Sequence, residues 1–281
     1  MPTNADIIFV MPFFLIIVCT FCAVGFYNIC RDDLLDELHA DGVDVIRSEK
    51  AQLHGLVNNA GVFTTFGPDD WCSTNEYSAS LNVNTLGAVR VCHSFLPLIK
   101  KSKGRVVTMG STAGRLHGLY VGPYVTAKFA VEAYMDCLRL EMLPFGVSVH
   151  ILEPGAFKTE LLSEGAQHAR VNKIWEKLPA TVKNEYGEEF KENFKIAWQT
   201  GVNLVANPNL HWVVDSYIHA LFGYWPRLRY APGWDAIFCF IPLSLMPTWV
   251  QLIAEHRMTY YRVPGVTEKK RKLVKLSNGP K

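Results

Sequence analysis

Short apolar runs bounded by turn residues recur along this chain: LHGLV at 53–57, GRVVTM at 104–109 and SVHILEPG at 148–155. Runs of that length, closed by glycine, proline or polar residues, predict buried strands. Between them apolar side chains recur at helical spacing, from about Glu76 to Lys101, where Lys-Ser-Lys-Gly ends the pattern, and from Tyr124 to Leu143, where Pro144 and Gly146 end it. The alternation predicts βαβ units and an α/β fold, a Rossmann-like, doubly wound parallel sheet.

Composition permits one sizeable domain. The 281 residues are 49% hydrophobic, 19% charged and 12% aromatic, with a net charge of +2. Such a small positive balance argues against nucleic acid as a partner, and the apolar share points towards a membrane. Seven scattered cysteines read as buried hydrophobes in a reducing compartment. Cys19 and Cys22 have CxxC spacing but no second pair and no convergent histidine, so no metal site is expected.

Two stretches lack charge. From Ile7 to Cys30 no side chain is charged, and that length suffices for a helix of ~20 apolar residues to cross a bilayer. An N-terminal hydrophobic helix over 7–30, acting as a membrane anchor, is the leading expectation. In the alternative, Phe13 to Val18 is a first strand and Thr20 to Asn28 a decayed glycine loop, with Phe21 and Tyr27 in place of glycines. The second stretch, Ala236 to Ala254, is broken by Pro242 and Pro247 and predicts a membrane-dipping or pocket-covering element. A basic tail over 256–281 contains Lys269-Lys270-Arg271-Lys272, which suits anionic lipid or plain solvation.

Candidate chemistry begins with Tyr124 and Lys128, four residues apart and so on one helical face. A cation beside a phenol favours the phenolate, although most such pairs are simply solvated. Ser111, at the end of the GRVVTM strand, is close enough in sequence for its hydroxyl to meet that of Tyr124 on one substrate oxygen. Asn84 sits mid-helix, where asparagine is unfavourable unless its amide has a partner; backbone bonding is the plain alternative. NNAG (58–61) ends an apolar strand with amides and a glycine, as at the lip of a ligand crevice.

In this order and spacing, NNAG, Asn84, Ser111 with Gly114-Arg115, Tyr124, Lys128, and Pro154-Gly155 with Thr159 resemble the short-chain dehydrogenase/reductase family. FGPDDW (66–71), FLPLIKKSKGRVV (95–107) and RYAPGWDAIFCFIPLSLMPTW (229–249) are similar to its microsomal branch of retinol dehydrogenases and 17β- or 3α-hydroxysteroid dehydrogenases. The resemblance implies hydride transfer between NAD or NADP, with NAD favoured, and a lipophilic alcohol or ketone such as a retinoid or steroid. Tyr124 would exchange the hydroxyl proton, Ser111 would bond the substrate oxygen, Lys128 would lower the Tyr124 pKa and hold the nicotinamide ribose, and Asn84 would carry a relay water. Asn58, Ala60 and Gly61 would line the adenosine side of the cleft, and Pro154, Gly155 and Thr159 would hold the carboxamide. The dehydrogenase domain would run over 31–255, with 160–255 covering the substrate, on the cytosolic face of the endoplasmic reticulum membrane.

The front half departs from the family pattern. No intact TGxxxGxG occurs, LLDELHADGVDVI (34–46) resembles the first helix and second strand, and SEKAQ then runs straight to the NNAG strand. At least one strand with its flanking helices is missing, which would bare the edge of the NNAG strand. Three expectations follow: an active membrane-bound dehydrogenase, an inactive relative that binds lipid or forms a homodimer or a heterodimer with an intact paralogue, or an incomplete isoform.

Overall fold

In a computed structural model of the chain, the described residues are 7–11, 14–19 and 52–260. Among them, β1 (Ile7–Met11), β2 (Phe14–Cys19), β3 (Leu53–Asn58), β4 (Arg105–Met109), β5 (Ser148–Leu152) and β6 (Arg229–Tyr230) form one sheet in that spatial order. β1 runs antiparallel to β2, and all other neighbours are parallel. Cys19 lies opposite Asn58, Asn58 opposite Thr108, and Thr108 opposite Ile151. The C-terminal ends of β2 to β5 therefore share one edge, where an open parallel sheet binds its ligands.

The N-terminal helix is not what the described part of 7–30 forms. IIFVM and FLIIVC are rich in β-branched and aromatic residues, which favour strands, and an unbroken apolar run is common to strands of parallel sheets and to membrane helices. Pro12 between the two runs also disfavours one continuous helix. β2 pairs along β3, so the edge expected to be bare is covered. The glycine-loop match at 20–28, the helix and strand at 34–46 and the tail from 261 lie outside the described residues.

β3 to β5 are packed on both faces. On one lie α2 (Ala88–Ser102) and α3 (Gly122–Met142), whose Cys92, Phe95, Ile99, Val131 and Met135 close over Leu53, Leu56, Val106, Val149 and Ile151. On the other lies α7 (His211–Phe222), where Ala220 and Leu221 meet Val57, Val107 and Leu152. α2 is reached through α1 (Thr74–Leu81) and a π-helical segment, Asn82–Gly87. α1 starts at a capping box, in which the Ser73 backbone N–H donates to Glu76 Oε2 at 2.9 Å. After α2 the chain turns at Lys103 with φ 51° and passes at Gly104 so close to β3 that a Cβ would overlap the His54 carbonyl.

Beyond β5 a helical cap forms from α4 (Glu164–Lys177), α5 (Ala180–Tyr186) and α6 (Glu188–Val205). Its Trp175, Phe190 and Phe194 pack on Phe63, Phe66 and Trp71. After β6 come a π-helical turn (Ala236–Phe240), α8 (Ile241–Ser244) and α9 (Thr248–Tyr260). This segment exposes Ile237, Phe238, Met246, Trp249, Leu252 and Ile253. Among the described residues no helix is long and apolar enough to cross a membrane.

Candidate active site

Ser111, Tyr124 and Lys128 meet at the C-terminal edge of β4. Ser111 caps a short helical turn, Thr112–Gly114, and its Oγ accepts the Ala113 N–H at 3.1 Å. Tyr124 lies in the first turn of α3, where Pro123 presets the backbone. The Ser111 hydroxyl is near enough to the Tyr124 phenol to favour its charged form. Lys128, one turn later and 3% exposed, donates from Nζ to Met109 O at 3.0 Å, and its Nζ stands 5.7 Å from the Tyr124 ring centre. The helix thus delivers phenol and ammonium to the strand end that carries Ser111.

Asn84 occupies the π-helical segment between α1 and α2. Its Oδ1 accepts the Val62 N–H at 3.0 Å, and its Nδ2 donates to Val62 O at 2.9 Å and to Ser80 O at 3.0 Å. One amide thereby holds both backbone groups of the residue that follows NNAG. Local π geometry is a usual mark of functional sites. A Cβ on Gly61 would lie 3.1 Å from Asn84 Oδ1 and 3.7 Å from Lys128 Nζ, so the glycine leaves this corner open to close approach.

The remaining expected residues divide. Asn58 turns inward, its Nδ2 donating to Thr108 Oγ1 at 3.1 Å and to Cys92 Sγ at 3.2 Å. Its amide donors tie β3 to β4 and α2 rather than face a cleft, because the strand's pleat sends that side chain into the packed layer. Asn59 Oδ1 accepts from Tyr217 Oη at 2.9 Å, and Ala60 and Gly61 follow it half-buried at the strand end. Pro154 O accepts the Thr112 N–H at 3.1 Å, which joins this loop to the Ser111 turn. Gly155 sits against Asp235, where any Cβ would overlap the carboxylate. Thr159 bonds only its own neighbourhood, Oγ1 to Phe157 O at 3.5 Å.

Burial dominates the electrostatics. It raises the Tyr124 pKa, which the Ser111 hydroxyl partly offsets, and it brings Lys128 down to about 8 against the pull of Glu132. Burial is thus the larger influence on the phenol, and the Ser111 hydroxyl works against it.

With this geometry in place, comparison with known proteins is direct. The family model for short chain dehydrogenase matches residues 32–170. The chain is 70% identical over 207 residues to 3beta-hydroxysteroid dehydrogenase dhs-16 of Caenorhabditis elegans, covering 74% of this chain and 53% of that protein. It is 41% identical to retinol dehydrogenase 7 of Rattus norvegicus over 198 residues, 70% of this chain and 62% of the relative. The chain belongs to the short-chain dehydrogenase family. It spans roughly half to three-fifths of the length of these curated relatives. Among solved structures, a short-chain dehydrogenase from Streptomyces avermitilis superposes with a TM-score of 0.56 at 23% identity, covering 83% of this chain and 76% of that one. An NAD+-bound xylitol dehydrogenase gives 0.56 at 17% identity over 73% and 75%. These two likenesses concern the fold alone.

Several residues of this candidate site escape sequence reasoning. Phe63, two residues past Gly61, has its ring centre 4.8 Å from that of Tyr124 and 6.2 Å from that of Trp198 on α6. Arg170 lies over the Phe63 ring at 5.9 Å and donates to Leu161 O at 2.8 Å. Together they wall Tyr124 with aromatic surface. The available signal was an aromatic beside the glycine, ambiguous because core aromatics look the same.

A dinucleotide fits the nicotinamide side of this edge. Lys128 is buried and has donor capacity beyond Met109 O, and Gly61 offers no side chain to block a ribose.

Proposed function

We propose that this chain is an NAD(P)-dependent short-chain dehydrogenase acting on a lipophilic alcohol or ketone. The observation that carries it is the convergence of Ser111, Tyr124 and Lys128 at one strand end under an aromatic wall of Phe63 and Trp198. A bound nicotinamide supplies hydride chemistry; the chain's own residues aim the substrate and move the proton. Ser111 and Tyr124 donate to the substrate oxygen, and Tyr124 exchanges its hydroxyl proton with it. Lys128 holds the ribose of either NAD or NADP and supplies positive charge to the phenol. Asn84 fixes the backbone at Val62, so that NNAG stays at the strand end.

A retinoid or hydroxysteroid is the substrate class this reading favours, supported by the names of the relatives and by the apolar cap over Tyr124. The exposed apolar side chains of 237–253 support residence on the endoplasmic reticulum membrane, facing the cytosol.

Tyr124→Phe is the test: turnover of retinol or a hydroxysteroid, followed by NADH formation, falls by about two to four powers of ten. A variant as fast as the wild type contradicts the proposal. A second reading, a lipid-binding relative that pairs with itself or with an intact paralogue, is favoured by the single interval 20–52 between β2 and β3, where the family resemblance implies two further strands. Folded protein without turnover that copurifies with such a paralogue supports that reading instead.

A further inference from the structure

Beneath the Ser111 turn lies a cluster of ionisable side chains that the proton exchange does not use. Glu132, one turn past Lys128 on α3, is 4% exposed, and Glu153, just beyond β5, is 3% exposed. The two carboxyls meet on the same Arg229 nitrogen, yet Glu132 Oε1 is buried and finds no N–H or O–H donor. One proton shared between the carboxyls would supply it.

The charges facing the pair come from every element around it. Arg229 of β6 contacts Glu132 and Glu153, and its other nitrogen reaches Asp136 at 2.5 Å. Arg115 Nη1, from the Ser111 loop, is 3.5 Å from Glu153 Oε1. Lys128 and Asp136 flank Glu132 along α3, and Arg139 pairs with Asp136. The loop itself rests on Glu132: a Cβ on Gly110 would overlap Glu132 Oε1, and one on Gly114 would come within 2.5 Å of its Cγ.

We propose that Glu132 and Glu153 form a proton-sharing pair that seats the Ser111 loop and maintains the charge of Lys128, which makes both of them positioning residues. This rests on reading Ser111, Tyr124 and Lys128 as the reacting site. Burial, then the neighbouring Glu153, raises Glu132 to about 7, while Arg229 opposes the rise. When the shared proton leaves, the added negative charge one turn from Lys128 holds its ammonium through the range in which burial alone would discharge it.

Glu132→Gln tests the pair, because an amide keeps the shape and donates to Glu153 but has no proton to release. The first measurement is thermal midpoint against pH. An unfolded glutamate has an ordinary pKa near 4.5, so between there and about 7 the folded chain holds a proton that the unfolded chain has lost. The stabilisation is full below 4.5 and is lost as pH rises through 7. Between pH 5 and 8 the wild type therefore loses a few degrees relative to Glu132→Gln, and parallel curves overturn the pair whether or not the chain turns over any substrate.

The second measurement is the pH profile of turnover, where Glu132→Gln moves the alkaline limb to lower pH because Lys128 discharges sooner. An unmoved limb in an active wild type overturns the positioning role and leaves the site reading intact. Diverging stability curves in a chain without turnover support the shared proton and sink the site reading.

Discussion

At the residue scale, Asn84 gives the sharpest link from sequence to site. An asparagine mid-helix asks for a partner, and its amide finds both backbone groups of Val62. Asn84→Ala leaves a Val62 N–H and C=O without those bonds, which costs about 1–3 kcal/mol. Urea denaturation should register that loss, and an unchanged midpoint would remove Asn84 from the account. Tyr124, Lys128 and Ser111 were legible because their chemistry shows at short spacing. Asn58 was not, since NNAG alone does not say which face of the sheet each amide takes. Glu132, Glu153 and Arg229 were hidden for another reason: they are spread over a helix, a strand end and a short edge strand, and only the sheet assembles them.

At the element scale, β3, β4, β5 and α3 follow the periodicity of their sequences closely. The long helix expected from Glu76 is instead α1, a π-helical segment and α2, because the turn carrying Asn84 bonds outward to Val62. The uncharged N-terminal run was ambiguous in principle, since length and hydropathy do not separate buried strands from a membrane helix. The later stretch 236–254 behaves differently again: its prolines break it into short helices whose apolar side chains remain exposed. Such a surface should bind lipid. In flotation with phosphatidylcholine vesicles the chain is expected to rise with the lipid, and Trp249→Glu with Ile253→Glu to lower the floated fraction several-fold; equal flotation would assign membrane contact to other residues.

At the scale of the whole molecule, a largely parallel sheet brings the C-terminal ends of β2 to β5 to one edge, helices cover both faces of β3 to β5, and a helical cap packs aromatic rings beside that edge. Family and fold were legible because motifs separated by whole βαβ units keep their order. The path between β2 and β3 was not, because the motif that would define it is incomplete in the sequence. The central claim is that this edge takes a dinucleotide despite that short path. A fluorescence titration of the detergent-solubilised chain with NADH and NADPH, using Lys128→Ala as control, tests it most directly. The account predicts saturable binding of at least one nucleotide, weakened about tenfold or more by losing a charge-assisted hydrogen bond; a folded chain that binds neither would contradict it.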